Sequence, residues 1–189
     1  MQEFDVTKPL PHQPLFNPTG DTDVLKRRMI DGTTTNLNDY NNLKYPWVSD
    51  WYRQAMNNFW IPEEINLSQD LKDYHKLLPQ ERKAYDKILS FLVFLDSIQT
   101  ANLPCVGEYI TANEVNLCLN IQTFQECVHS QSYSYMLDSI CSPDERMDIL
   151  YQWKTDEHLL ARNTFIGNCY NLFQEKKDAA TLLKVMMAN

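Results

Sequence analysis

Seven residues between Val115 and Met136 recur at alternating intervals of four and three: Val115, Leu119, Gln122, Glu126, His129, Tyr133 and Met136. An α-helix turns once in about 3.6 residues, so this spacing draws all seven onto one stripe, a seam that faces other helices. A strand cannot satisfy it, because strand side chains change face at every residue. The spacing predicts a helix from about Asn113 to Asp138. A second stretch, Gln80 to Leu103, lacks proline and glycine, and Tyr85, Ile88, Leu89, Leu92, Val93 and Asp96 recur along it at helical spacing. Pro104 and Gly107 are expected to break that helix. With only four glycines in 189 residues and little strand-type alternation, the chain reads as an all-α helical bundle.

The rest of the punctuation fits this reading. Pro9, Pro11, Pro14 and Pro18 predict an extended arm, because proline fixes φ and lacks an N–H donor. A short helix is expected from Thr22 to Ile30, stopped by Gly32, before the polar linker TTTNLNDYNN. Pro46 suits the first turn of a helix running to about Trp60 and ended by Pro62. Ser142, Pro143 and Glu145 carry a capping-box signature. Helical pattern then continues to Phe173, with a break near Thr155, and a last short helix covers Ala179 to Met187. The expected organisation is a proline-containing arm with a short helix over residues 1–45 and a helical domain over 46–189.

Charge narrows the partners. There are 17 Lys and Arg against 25 Asp and Glu, a formal net charge of −8. An acidic chain without basic clusters is not expected to bind nucleic acid or an anionic membrane surface. There is no run of about 18 apolar residues, so no membrane span is expected. The N-terminus lacks the charged-then-apolar pattern of a signal peptide. The five cysteines, Cys105, Cys118, Cys127, Cys141 and Cys169, include no C-x-x-C pair. They read as reduced thiols of a cytoplasmic protein rather than zinc ligands or a disulfide framework.

Chemistry concentrates in ECVHSQSY, residues 126–133. Glu126 and His129 are three apart, which on a helix leaves their Cβ atoms about 5–6 Å apart on one face. Both can then bind one metal ion. A carboxylate on the inner face of a bundle is costly unless it is paired or metal-bound. Asp96 raises the same question, since it follows Leu92 by one turn on an apolar stripe. Metal-carboxylate bundles draw single carboxylates from two helices and a Glu-x-x-His from each of two others, and this chain supplies one of each. The alternatives are a solvated or hydrogen-bonded Glu–His pair and a buried acceptor at Asp96. Tyr133 shares the face, about 10 Å along the axis from Glu126. It is either core packing or a redox tyrosine beside the metals. Trp60, in FWIPEE, is either packing or an electron relay. His158 has Asp156 and Glu157 beside it, but adjacent residues do not share a helix face. His12 and His75 lack ligand spacing.

Three segments, NNFWIPEEINLSQDLKDYHKLLPQER, FLVFLDSIQTANLP and IQTFQECVHSQSYSYML, resemble the small-subunit family of class I ribonucleotide reductases. The likeness runs from about Pro14 to the last residue. It implies a ferritin-like fold and a dinuclear iron or manganese site that reacts with oxygen. It maps Asp96, Glu126 and His129 onto three metal ligands, Tyr133 onto the radical tyrosine and Trp60 onto the tryptophan that relays an electron. It also implies a homodimer and a large-subunit partner in which ribonucleotides are reduced to deoxyribonucleotides.

The chain departs from the family pattern in one respect. Glu126 with His129 is its only Glu-x-x-His, whereas the family has a second, preceded by another Glu, on later helices. The expectation is therefore a partial bundle lacking the C-terminal helices, with half of the metal site completed by a second chain. The runners-up are a ferritin-like metal-storage protein with a site shared between subunits, and an inactive fragment. A bare half-bundle is also expected to self-associate.

Overall fold

The computed structural model describes residues 4–188; residues 1–3 and Asn189, the outer ends of the two expected segments, lie outside the described residues. Seven α-helices occur among the described residues. They are α1 Trp47–Asn57, α2 Ser68–Tyr74, α3 Pro79–Gly107, α4 Asn113–Ile140, α5 Pro143–Tyr151, α6 Glu157–Lys176 and α7 Ala179–Ala188. The only β-type pairings among them are two isolated bridges, Pro9 with Asp178 and Ile30 with Ile110. All five cysteines are free.

The chain forms two compact units, each assembled from separate stretches. The first holds the residues up to Asn58, Ala101–Thr123 and those from Ile166 onward. Here the irregular arm has no ladder of its own, so side chains at the start of α4 satisfy its backbone. Asn113 donates to the Leu37 carbonyl at 2.9 Å, and Thr111 donates to the Arg28 carbonyl at 2.7 Å. Glu114, 2% exposed, pairs with Arg27 at 2.7 Å and accepts the Lys44 backbone N–H at 3.2 Å. Gly20 runs so close to Thr34 that an added Cβ would lie 2.3 Å from its backbone, which only glycine tolerates.

The second unit holds Phe59–Thr100 and Phe124–Phe165. Leu89 of α3, Leu137 of α4 and Ile149 of α5 form its buried centre, with Val93, Tyr133, Met136, Cys141 and Leu150 packed around it. Each fully buried aliphatic side chain stabilises by about 1.5–3 kcal/mol. The expected capping box forms at α5: Ser142 accepts from the Glu145 backbone N–H at 3.4 Å, and Glu145 accepts from that of Ser142 at 2.8 Å. The expected break near Thr155 is a 3-10 turn, Gln152–Lys154.

Three sequence expectations need correction, and one element went unforeseen. The helix expected over Thr22–Ile30 is only a 3-10 turn, Val24–Lys26. Its backbone is used elsewhere: Met29 accepts from the Thr111 N–H at 2.8 Å, and Ile30 bridges to Ile110. Helix α1 stops at Asn57 rather than Trp60, and Ile61 is extended (φ −125°) because a residue before proline is pushed out of the helical region. Pro104 does not end α3, which continues to Gly107. In the last turn proline costs one hydrogen bond, and its carbonyl still accepts from Glu108 at 3.3 Å. The seven-residue α2 was not anticipated, since it is short and lies in a polar stretch. By length and composition α3 could also cross a membrane, with an 18-residue stretch of mean hydropathy 1.3. Its Asp96, Gln99 and Ser90 are the residues such a stretch would least tolerate.

Candidate metal centre

The site lies wholly within the second unit. Helix α3 supplies Asp96, and α4 supplies Glu126 and His129 from successive turns of its seam. One ligand atom from each of the three lies within 4.8 Å of the other two. His129 Nδ1 is 3.2 Å from Glu126 Oε2 and 3.5 Å from Asp96 Oδ2. The carboxylate side chains are 14% and 15% exposed and the imidazole 39%. No other group of three such side chains converges among the described residues. His12 pairs with Glu108, His75 lies edge-on to Tyr74, and the His158 backbone donates to Asp156.

Electrostatics at this cluster are unfavourable as it stands. Burial pushes the Asp96 carboxyl above its usual range, and the neighbouring Glu126 charge adds to the rise. A hydrogen bond from Tyr133 and the nearby imidazole oppose it without cancelling it. The Tyr133 hydroxyl is pushed up as well, first by burial and then by the Asp96 charge. Two half-buried carboxylates beside one imidazole lack positive charge. A divalent cation provides it, and two oxygens with one nitrogen suit iron or manganese better than a soft thiophilic ion. The residues therefore fit a metal, with coordination positions left over for other ligands.

The aromatic residues arrange themselves along α4. Tyr133 lies one turn beyond His129, where its hydroxyl feels the Asp96 carboxyl. The Trp60 ring stacks on His129, with centroids 6.2 Å apart and planes 27° apart. Two contacts that the sequence did not reveal hold Trp60 there. Its neighbour Phe59 stacks on Phe124 at 6.1 Å, and Tyr135 donates to the Ile65 carbonyl at 3.0 Å. Both require the chain to leave α1 before Phe59. The Phe-Trp doublet ahead of Ile61-Pro62 was the available signal.

The family model for the ribonucleotide reductase small chain matches residues 37–189. The ribonucleoside-diphosphate reductase subunit beta of Treponema pallidum is 72% identical over 180 residues, covering 95% of this chain and 51% of the relative. The solved ribonucleotide reductase R2 subunit from Clostridium botulinum superposes with a TM-score of 0.91 at 49% identity. That match covers 96% of this chain and 57% of the other. Streptococcus sanguinis dimanganese(II)-NrdF shares the fold, with a TM-score of 0.68 at 22% identity, over 77% of this chain and 50% of that one. The all-helical architecture is thus the ferritin-like one. The chain spans about half the length of the relatives named here.

Proposed function

This chain belongs to the ribonucleotide reductase small-chain family, and from that premise we propose that it houses half of a dinuclear metal site and the tyrosine oxidised beside it. The observation that carries the reading is the convergence of Asp96, Glu126 and His129 within 4.8 Å, with Tyr133 one helical turn beyond His129 on the same helix. Asp96, Glu126 and His129 are the metal ligands. The metals are iron, with manganese as the alternative, and when bound and reduced they supply the oxidising power of oxygen. Tyr133 gives up one electron, and the neighbouring Asp96 carboxylate takes its phenolic proton. Its burial shields the resulting radical. Trp60, stacked on the ligand His129, relays an electron between the site and the surface.

The wider activity belongs to the same proposal. The remaining ligands come from the part of the relatives' length that these 189 residues do not span, here termed the complementing polypeptide, in a homo- or hetero-oligomer. The oxidising equivalent passes to the large subunit, where ribonucleotides become deoxyribonucleotides, in the cytoplasm. Alone, the chain is inactive.

The test combines metal stoichiometry with electron paramagnetic resonance, on the chain alone and with the complementing polypeptide. Two metals per completed site and a tyrosyl signal lost in Tyr133→Phe are expected. Many irons per chain would instead identify a storage protein. Neither metal nor signal, even with the second polypeptide, would reduce the enzyme reading to ancestry.

A further inference from the structure

Tyr133 has a second set of neighbours, away from the carboxylates. It packs against the Leu89–Leu137–Ile149 cluster, as do Met136 and Cys141. Met136 follows Tyr133 by three residues on α4, so the two side chains are neighbours on the helix surface. Tyr85 of α3 donates its hydroxyl to the Met136 sulfur at 3.3 Å. The Tyr85 ring lies 5.8 Å from that of Tyr74, at the end of α2. Tyr74 is 4% exposed; its hydroxyl donates to Asp86 at 2.7 Å and accepts the Cys141 thiol proton at 3.6 Å. Phenol, thioether, phenol and phenol thus follow one another from the candidate site to Tyr74. This route leaves α4 one turn after Tyr133, whereas Trp60 meets the helix one turn before it, at His129.

We propose that Tyr74 is a second redox-active tyrosine, reached from Tyr133 through Met136 and Tyr85, which takes the oxidising equivalent when it is not delivered elsewhere. The inference rests on the radical reading of Tyr133. In the net step the Tyr133 phenoxyl gains one electron. It also regains the proton it gave up on oxidation, and so returns to the phenol. Tyr74 loses one electron and becomes a phenoxyl, and its proton crosses the hydrogen bond to the Asp86 carboxylate. Met136 and Tyr85 pass the electron along and end unchanged, so no outside oxidant or reductant is consumed.

The hydrogen bonding explains why the equivalent stops at Tyr74 and not at Tyr85. A phenol that loses an electron must also lose its proton, and a thioether is a weak acceptor. Tyr85 therefore has a poor base at Met136, whereas Tyr74 has a carboxylate. Tyr74 and Asp86 also line a cavity of about 420 Å³, through which the proton held on Asp86 exchanges with solvent.

A packing role for these rings would not depend on their hydroxyls, and the test uses that difference. Tyr74→Phe, Tyr85→Phe and Asp86→Asn keep the side-chain shapes. Each is compared with the unsubstituted metal-loaded full chain, together with its complementing polypeptide, and the decay of the Tyr133 radical is followed by electron paramagnetic resonance after oxygen is admitted. The expected result is a severalfold slower decay in all three variants at unchanged melting temperature. A second tyrosyl signal should grow in the unsubstituted protein as the first decays, and be absent from Tyr74→Phe. A normal Tyr133 radical with the same decay in every variant would overturn this inference alone. No Tyr133 radical at all, with metal bound and oxidised, would overturn the parent reading and this one with it.

Discussion

On the metal reading proposed above, Asp96 sets function against stability in a single side chain. Burial and the Glu126 charge both oppose its ionisation, yet an ionised carboxylate is what a metal requires. Asp96→Asn removes the repelling charge and keeps the shape. Its metal-free form is expected to melt at a higher temperature than the unsubstituted chain, while metal affinity falls at least about tenfold, the loss seen when even the outer partners of ligands are replaced. Calorimetry and metal titration check the two halves separately; an unchanged metal affinity would remove Asp96 from the ligand set. At this scale the sequence was legible wherever one helix carries the group. Glu126, His129 and Tyr133 share a face by spacing alone, and Asp96 stood out as a charge on an apolar stripe. The stacking of Trp60 on His129 was not legible, because it depends on where α1 ends.

Among the elements, α5 is the one most fully encoded by its own residues. Ser142 and Glu145 cap its N-terminus reciprocally, and Arg82 of α3 adds an ion pair to Glu145 at 2.5 Å. Ser142→Ala is expected to cost about 1 kcal/mol in chemical denaturation. The Glu145 carboxyl is held down at about 2, first by its backbone hydrogen bond to Ser142. A depressed carboxyl stabilises the fold above its unfolded value of 4.5. That contribution is lost as pH falls from there through about 2. Glu145→Gln should therefore flatten the acid limb of the stability profile over that window and leave the neutral region's slope unchanged. The contribution is modest, because Glu145 is 38% exposed and solvent screens it. Where elements were misread, as at Thr22–Ile30, the backbone had found partners at Thr111 and Ile110 that no local pattern reveals.

Over the whole molecule, separated stretches of chain hold one another in place. Arg27 and Glu114 are 87 residues apart and form an ion pair whose carboxylate is 1% exposed. Removing the cation leaves a buried charge unpaired, so Arg27→Met is expected to cost about 3–5 kcal/mol, measured by denaturant unfolding. Large apolar side chains remain in solvent, among them Ile88 (56% exposed), Phe165 (58%), Leu183 (61%) and Met187 (78%). The 189-residue chain by itself is therefore expected to self-associate. Sedimentation that found a well-dispersed monomer with a sharp cooperative melt would contradict this. The sequence by itself determined the helical class, both long helices, the α5 cap and the three residues that α4 brings to the site, because each follows from helical periodicity or a local hydrogen bond. Only the tertiary structure decided that Asp96 meets Glu126 and His129, that Trp60 stacks on the imidazole, that Tyr74 lies in contact with Tyr85, and that the arm gives up its helix. Each of those depends on contacts between residues distant in sequence, where the free energy of packing and of satisfying buried polar groups outweighs local preference.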